Sequence, residues 1–326
     1  MQYIIKIFAD FHTSEKLKEI FEQINETDLM QNYGIGKDIY ITTEDDYTHA
    51  FILNTAMPTL TSIPKENVIG FAQEPPVFLN LSLDFVNYAQ KNIGKYYIGE
   101  KYDLPEPFIE SNSYLTYMRP LRYIPIKTKN ISIVVSHKNY APGHKYRHLL
   151  VQKILSSQLS IDIYGNGTEI YNNYTPPKPQ IPSTSPFPFM AALHKDPRLK
   201  GKFNETEPYE SYDFTIAIEN YQHNEYFSEK IINPLLCGTT PVYYGCKNIE
   251  SYFPDSTLIM SGNLEQDFEL LKNIVRNPQQ YKKNIDVDYV KNKVKLLEHL
   301  GREPTVVGAS RPLSRPQDAE TLRPFP

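Results

Sequence analysis

The sequence has only two cysteines, no excess of basic residues and no long apolar run. Cys237 and Cys246 lie outside any CxxC motif, so we expect no disulfide framework and two buried, reduced thiols. A formal net charge of −4 over 326 residues provides no basic field for nucleic acid, and a chain of this length can bury the cores of two domains. Apolar runs such as ISIVVS are far too short to span a membrane. The starting segment MQYIIKIFADF alternates like a strand and lacks the cleavage region of a signal peptide, so we expect a soluble, cytoplasmic globular protein.

Several short motifs of cofactor and metal sites are also missing. No Gly-x-Gly-x-x-Gly or Walker-type loop occurs, and His223 does not combine with the cysteines at a spacing typical of zinc ligands. The triplet DVD at Asp286–Asp288 matches the short Asp-x-Asp metal-binding motif, but aspartates beside an amphipathic stretch also favour a helix N-terminus. We therefore predict that these aspartates begin a helix, that the chain has no metal site and that it requires no cofactor.

Short apolar runs alternate with amphipathic stretches in two successive series. The first series has a predicted helix at TSEKLKEIFEQINE, with Thr13 or Ser14 as its cap, and strands at YIIKIFADF, DIYITT, HAFILNT and NVIGFAQ. The second series has helices at HKYRHLLVQKILSSQ and SEKIINPLLCG and strands at ISIVVS, IDIYG, FTIAIEN and TPVYYG, followed by a helical region. Strands that alternate with helices favour parallel sheets, so we predict an α/β fold of two Rossmann-like lobes.

A proline-marked basic segment at residues 119–129 separates the two series. We place the first domain at residues 1–125 and the second at 126–300. Within the second domain, YTPPKPQIPSTSPFPF at 174–189 is too rich in proline for a helix or a strand and is predicted to be a long surface loop. Residues 301–326 contain no Lys, Asn, Ile or Tyr, so we predict a disordered tail or an artificially added segment.

The most informative stretch is FTIAIENYQHNEYFSEKIINPLLCGTTPVYYG, residues 214–245. Its polar residues lie between a predicted strand and a predicted helix, at the edge where α/β sheets bind ligands and helix N–H groups point outward. Lys230 falls in the first helical turn, where a cation opposes the helix dipole unless an anion such as a diphosphate lies between them. Glu229 would repel phosphate and suits a pair of sugar hydroxyls. The simpler interpretation is that Ser228 caps the helix and that Glu229 meets the helix dipole favourably.

Many positions of this stretch follow one pattern at fixed spacing. They are Phe214, Ile218, Glu219, Asn220, Tyr226, Ser228, Glu229, Lys230, Gly238, Pro241, Val242 and Gly245. The segment resembles the donor-binding signature of the family 10 glycosyltransferases, the α-1,3/α-1,4-fucosyltransferases. Ile218 replaces an aromatic residue of that signature, and the continuation NIESYFPDSTLI follows the ending of the family pattern.

Two further segments resemble the family in the same order along the chain. The run from IVVS to IDIYG puts Arg147 on a helix and Gly165 after a strand, and the resemblance implies that Arg147 is a second cation on the diphosphate. By itself, Arg147 beside Lys145 could be a solvated helix residue. FAQEPPVF resembles the acidic Glu-Ser-Pro motif of the family, which makes Glu74 the candidate general base, although Glu74 alone could be an exposed loop residue. Pro75 replaces the usual serine, and the family's tyrosine-arginine-aspartate block is not recognisable.

The resemblance implies a GT-B-type glycosyltransferase whose two lobes face a cleft, with the acceptor on the first lobe and the donor on the second. It implies inverting, metal-independent transfer of fucose from GDP-fucose to a hydroxyl of an acceptor oligosaccharide. Glu74 would deprotonate that hydroxyl, and Arg147 and Lys230 would stabilise the departing diphosphate. The residues implied to position the donor are Asn220, Tyr226 and Glu229. Two alternatives stay open: a family 10 relative that uses a different nucleotide sugar, and a non-catalytic nucleotide- or saccharide-binding protein.

Overall fold

The computed structural model describes residues 3–25, 33–60, 63–172 and 196–294, and it contains two parallel β-sheets. Each sheet has six strands, and each lobe of the molecule is built around one of them. Two parallel sheets that follow one another along the chain and carry helices confirm the predicted α/β fold of two Rossmann-like lobes.

The first lobe is formed by the sheet that begins at the N-terminal end of the chain. Its strands are β1 (Tyr3–Ala9), β2 (Ile39–Ile41), β3 (His49–Leu53), β4 (Val68–Phe71), β5 (Lys95–Ile98) and β6 (Phe108–Glu110). They lie in the order β2-β1-β3-β4-β5-β6. Its helices are α1 (Ser14–Asn25), α2 (Pro76–Leu79) and α3 (Leu83–Asn92). Because both faces of the sheet are covered, β3 and β4 are buried along their whole length and read as continuous apolar runs.

The second lobe has the same architecture and carries most of the signature residues. Its strands are β7 (Lys129–Val134), β8 (Asp162–Tyr164), β9 (Leu199–Gly201), β10 (Tyr212–Ile218), β11 (Thr240–Tyr244) and β12 (Leu258–Ile259). They lie in the order β12-β11-β10-β7-β8-β9. Its helices are α4 (Pro142–Leu155), α5 (Glu229–Leu236), α6 (Leu264–Arg276), α7 (Pro278–Tyr281) and α8 (Val287–Lys293). Strand β10 therefore lies in the middle of the sheet, between β7 and β11.

The segment 111–128 connects the two lobes and is bonded to α5 at two points. The Met118 N–H donates to the side-chain oxygen of Asn233 within α5 at 2.8 Å. The Lys127 ammonium donates to the carbonyl of Cys237, just after the helix, at 2.7 Å. Burial lowers the pKa of Lys127 to about 8, and the carbonyls at the helix C-terminus are suitable partners for a cation. The connection is thus fastened to the helix that carries the SEK sequence.

All strands and helices predicted in the two series are present. Asp286 caps α8, because its carboxylate accepts the Tyr289 N–H at 2.9 Å, and this confirms the capping interpretation of the DVD triplet. Cys237 and Cys246 are buried and free, as expected. None of the helices in the described part of the chain combines the length and apolar composition that a bilayer span needs.

The elements that were not predicted are short strands and the helices that precede β5. Strands β5, β6, β9 and β12 have two to four residues each, too few for a clear alternation, and pairing within the sheets stabilises them. Helix α3 carried a usable signal, since the hydroxyl of Ser82 caps it by accepting the Phe85 N–H at 3.1 Å. The loop predicted at 174–189 and the tail predicted at 301–326 lie outside the described residues.

Candidate active site

A cavity of about 390 Å³ lies between the two lobes, where β7 and β10 of the second sheet end. All the residues that the sequence assigned to donor binding or chemistry line it. They are Glu74, Arg147, Asn220, Tyr226, Glu229 and Lys230. Among these six, Glu74 alone belongs to the first lobe, so the cavity joins the candidate base to the candidate donor site.

The N-terminal end of α4 packs directly on the end of β10. The Gly143 N–H donates to the Asn220 carbonyl at 2.9 Å, and a Cβ atom on Gly143 would lie 1.8 Å from the Glu219 carbonyl oxygen. Only a residue without a side chain allows this approach. The contact brings the first two turns of α4, with His144 and Arg147, into the wall of the cavity.

A buried carboxylate, Glu219, organises the turn from β10 to α5. Its two oxygens accept the N–H of Ser228 at 2.9 Å and the hydroxyl of Ser228 at 2.7 Å. The same hydroxyl caps α5 by accepting the Lys230 N–H at 3.4 Å. Burial raises the pKa of Glu219, and the Lys230 ammonium at 3.6 Å acts in the opposite direction. The start of α5 is therefore held by a side chain at the end of the neighbouring strand.

Lys230 and Glu229 form an ion pair in the first turn of α5. The Lys230 ammonium lies 3.0 Å from the Glu229 carboxylate and 3.0 Å from the Ser228 hydroxyl, and the side chain is 23% exposed. Burial opposes its charge, but the carboxylates of Glu229 and Glu219 outweigh burial and raise the pKa of Lys230. Burial also opposes the charge of Glu229, but Lys230 and a hydrogen bond from the Tyr114 hydroxyl lower the pKa of Glu229. Both groups are charged at neutral pH.

The second predicted cation, Arg147, is buried. It is 5% exposed, and its guanidinium donates to the Ile218 carbonyl at the end of β10, at 2.5 Å. Burial lowers the pKa of Arg147, while Glu219 and Glu229 act in the opposite direction. The interpretation of Arg147 as a solvated helix residue is therefore wrong. A guanidinium has five N–H donors, so one bond to the backbone leaves donors for a ligand.

His144 lies beside Asn220 in the same wall of the cavity. Its Nδ1 accepts the Ala141 N–H at 3.3 Å, and the imidazole is hydrogen-bonded to the Asn220 side chain. Burial, reinforced by nearby cations such as Arg147, lowers the pKa of His144 to about 4. The imidazole is therefore neutral at pH 7, with its proton on Nε2 because Nδ1 is an acceptor. It orients the Asn220 amide without adding charge to the site.

Glu74 follows β4 and faces the second lobe. Its carboxylate accepts the hydroxyl of Tyr226 at 3.3 Å, and the side chain is half-buried. Burial raises the pKa of Glu74, although the positive charge of Lys230 acts against this. Glu74 is therefore not an exposed loop residue.

Gln73 bonds to the main chain on both sides of Tyr114, a lining residue that the sequence analysis did not identify. The buried Gln73 amide donates to the Ser113 carbonyl at 2.9 Å and accepts the Leu115 N–H at 3.1 Å. The Tyr114 hydroxyl in turn bonds to Glu229, and its burial raises the pKa of that phenol well above its usual range. The Gln73 amide thus joins the residue before a first-lobe carboxylate to the segment whose Tyr114 bonds to a second-lobe carboxylate.

Further lining residues were also missed. They are Ser136, Lys138, Phe203, Glu205, Tyr209 and Asn233. Ser136 and Lys138 follow β7 just as Asn220 follows β10, so their place at a strand end was an available signal. The segment 203–209 reaches the cavity through packing and has no local motif.

The cavity offers a particular mixture of charges. Three cationic side chains, Lys138, Arg147 and Lys230, and three carboxylates, Glu74, Glu205 and Glu229, line it together with neutral donors. Such a mixture fits a ligand that carries both a strong anion and hydroxyl groups. Within the described residues, no group of three or more His, Cys, Asp or Glu side chains is arranged to hold a metal ion.

The two serine caps allow a direct test of the role of Glu219. Replacing the exposed cap in Ser82→Ala should lower the free energy of unfolding by about 1 kcal/mol, the usual value for a lost N-cap. Ser228→Ala should lower it by about 1–3 kcal/mol more, because Glu219 then loses a hydrogen bond while it stays buried. Urea denaturation of both variants measures the difference. Equal losses would show that the Glu219 carboxylate does not depend on Ser228.

Comparison with known proteins places these features in a family. The sequence profile described as "Glycosyltransferase family 10 (fucosyltransferase) C-term" matches residues 124–295, which is more than half of the chain. GDP-fucose protein O-fucosyltransferase 3 of Danio rerio is 31% identical over 99 residues, 28% of this chain and 22% of that protein. A fucosyltransferase-like protein of Arabidopsis thaliana is 30% identical over 93 residues, 27% of this chain and 18% of that protein.

The match therefore spans only about a fifth of the length of these relatives. A crystal structure of an alpha1,3-fucosyltransferase has a TM-score of 0.47 at 14% identity, and the superposition covers 89% of this chain and 81% of the other. The family profile spans nearly the whole described second lobe, including the turn between β10 and α5. The resemblance found in the sequence is thus confirmed, and the chain belongs to glycosyltransferase family 10, the fucosyltransferases.

Proposed function

We propose that the chain transfers fucose from GDP-fucose to a hydroxyl of an acceptor glycan, with inversion at the anomeric carbon. The observation that carries the proposal is the meeting of two cations, Lys230 and Arg147, with Glu74 of the opposite lobe in one cavity. Membership of the fucosyltransferase family supports fucose as the sugar. The name of the Danio rerio relative, which includes GDP-fucose, supports the nucleotide.

The diphosphate of the donor would lie between Lys230 and Arg147 at the N-terminal end of α5. The Lys230 and Ile231 N–H groups are already bonded to the hydroxyl and carbonyl of Ser228, so the helix would attract phosphate mainly through its dipole. Lys230 contacts the carboxylates of Glu229 and Glu219, and a diphosphate would compete with both for its ammonium. Glu229 would then accept hydroxyl groups of the donor. The neutral groups that would complete the donor site are Asn220 and Tyr226.

The proposed reaction is a single displacement. The acceptor oxygen attacks the anomeric carbon and loses its proton to Glu74, while the bond to the phosphate oxygen breaks and GDP leaves with the electron pair. A well-placed general base contributes about 10²–10⁴-fold to the rate. The transition state resembles an oxocarbenium ion, and attack from the face opposite to the leaving group inverts the anomeric centre. Lys230 and Arg147 would stabilise the growing negative charge without a metal ion.

A transfer screen on a glycan array with labelled GDP-fucose tests this function directly. The expected result is fucose on at least one array glycan, with other labelled nucleotide sugars giving no product in parallel. Transfer from a different nucleotide sugar would show that GDP-fucose is not the donor. Binding of GDP in calorimetry without transfer or donor hydrolysis would favour a non-catalytic binding protein. Transfer confined to serine- or threonine-containing peptides would show that the acceptor is a polypeptide and not a glycan.

The role of Lys230 can be tested against a lysine elsewhere in the same lobe. Lys230→Ala should lower turnover at least about a hundredfold, because removing one preorganised group that stabilises transition-state charge has effects of this order. Lys145→Ala, on the exposed face of α4, should leave turnover unchanged. Initial rates with GDP-fucose and circular dichroism of both variants provide the measurement. Normal turnover in the Lys230 variant would remove this residue from the mechanism.

Replacement of Glu74 should separate chemistry from binding. Glu74→Gln should abolish transfer and leave the Kd for GDP unchanged, whereas Glu66→Gln, at an exposed site of the same lobe, should change neither. Because burial raises the pKa of Glu74 and a base must be deprotonated, wild-type turnover should fall on acidification at a pH above the usual carboxyl pKa of about 4.3. Calorimetry and a pH–rate profile measure these effects. Loss of GDP affinity with transfer retained would show that the base is another residue.

A further inference from the structure

Two aromatic side chains meet across the cleft between the lobes. Phe78 lies on α2 of the first lobe, and Tyr140 precedes α4 of the second lobe. Their rings stack with centroids 5.9 Å apart and planes at 21°. Phe78 is nevertheless 41% exposed and Tyr140 is 53% exposed, so the pair leaves aromatic surface open to solvent.

This aromatic pair is connected to the cavity from both sides. Helix α2 begins directly after Glu74 and Pro75, which places Phe78 one helical turn beyond the candidate base. The Tyr140 ring packs edge-on against His144 at a centroid distance of 4.6 Å, and His144 lines the cavity. The pair therefore lies beside the carboxylate and beside the wall of the donor site.

Packing of the core does not account for this exposed surface. Among the described residues, Phe78 and Tyr140 belong to none of the buried clusters or of the partly buried side chains around them. Other exposed apolar side chains follow strands of the first sheet at the same edge: Phe11 after β1, Met57 after β3 and Tyr102 after β5. The carboxyl edge of a parallel sheet is where α/β proteins bind ligands, and an exposed apolar patch is typical of a binding surface.

We propose that Phe78 and Tyr140 form the binding platform for a pyranose ring of the acceptor, so that the acceptor is a saccharide. A pyranose has a face of C–H groups and a rim of hydroxyls. Flat aromatic rings match the C–H face, and the adjacent Glu74 carboxylate matches a rim hydroxyl. Extended peptides also dock on aromatic grooves, but the Glu74 carboxylate beside the rings suits a sugar hydroxyl and favours the saccharide. The inference rests on the proposed function, because it takes Glu74 to be the group that faces the acceptor hydroxyl.

The chain contains no tryptophan, so a single introduced tryptophan reports on the platform without background. The fluorescence of the Phe78→Trp variant should shift on titration with methyl β-glycosides of glucose, galactose, N-acetylglucosamine and mannose. Leu83→Trp, at a 74% exposed position of the same lobe, is the matched control and should not respond to any of them. Titrations with and without GDP, and with a serine-containing peptide, complete the set.

A response of Phe78→Trp to at least one glycoside, with Leu83→Trp silent, supports the platform. No response to any glycoside, or an equal response in both variants, overturns it. A response to the peptide alone also overturns it and indicates a polypeptide acceptor. These outcomes do not depend on transfer activity. Failure of the wild-type protein to bind GDP in calorimetry would instead count against the proposed function.

Kinetics of truncated side chains provide a second, independent measurement. Phe78→Ala and Tyr140→Ala should each raise the KM for the acceptor found on the glycan array about tenfold. Each variant loses one stacking contact and the apolar area that the sugar would bury on that ring. The Kd for GDP should stay unchanged in Phe78→Ala, whose ring does not contact His144, and Tyr140→Phe should restore the KM. An unchanged acceptor KM in both alanine variants, or a loss of GDP affinity in Phe78→Ala, would overturn the assignment.

Discussion

The rest of the site depends on the hydrogen bonds between the buried Glu219 carboxylate and Ser228. Glu219 ends β10, holds the backbone and hydroxyl of Ser228, and so determines where α5 begins. The next strand is fitted to it as well, because a Cβ atom on Gly245 would lie 2.4 Å from the Glu219 side chain and from the Tyr243 hydroxyl. Burying such a carboxylate is unfavourable unless donors and a cation compensate it. Lys230 is that cation, so the residue proposed to bind phosphate also balances the charge that positions it.

The loop between β10 and α5 is bonded to the first lobe and to the segment that connects the lobes, as well as to the second lobe. The Glu100 carboxylate, just after β5, accepts the Asn224 N–H at 3.1 Å and contacts the His223 ring at 3.1 Å. The side-chain amide of Asn112 donates to the Phe227 carbonyl at 3.2 Å. Tyr226 lies within this loop and reaches Glu74 across the cleft. A change in the angle between the lobes would therefore move Tyr226 relative to Glu74, and it would couple the proposed donor site to the proposed acceptor site.

The local order of the chain, together with the resemblance to the family 10 signature, was sufficient to predict one part of the candidate site and insufficient for the other. Glu229 and Lys230 were predicted because they follow a strand and begin a helix, where α/β sheets bind ligands, and because their segment matches that signature at fixed spacing. His144 and Tyr114 were not found. His144 reaches Asn220 because Gly143 lets α4 approach β10. Tyr114 reaches Glu229 because the segment between the lobes is bonded to both of them, to the first by Gln73 and to the second by Asn112. Contacts that arise from packing between distant elements leave no periodic or spaced pattern in the sequence.

The carboxylates of the cavity differ in environment, and this difference supports different roles for them. Burial is the largest influence on both Glu74 and Glu229, but only Glu229 has a lysine in direct contact and a phenol donor, and its pKa is lowered while that of Glu74 is raised. A carboxylate with a lowered pKa keeps its charge and accepts hydroxyl hydrogen bonds without taking the proton. A carboxylate with a raised pKa is a stronger base toward a hydroxyl that becomes acidic in the transition state. If the two proposed roles were exchanged, the base would lie next to Lys230, and the cation proposed to stabilise the leaving diphosphate would weaken proton abstraction. Glu74, the proposed base on the opposite lobe, is affected less, because burial raises its pKa by more than Lys230 lowers it.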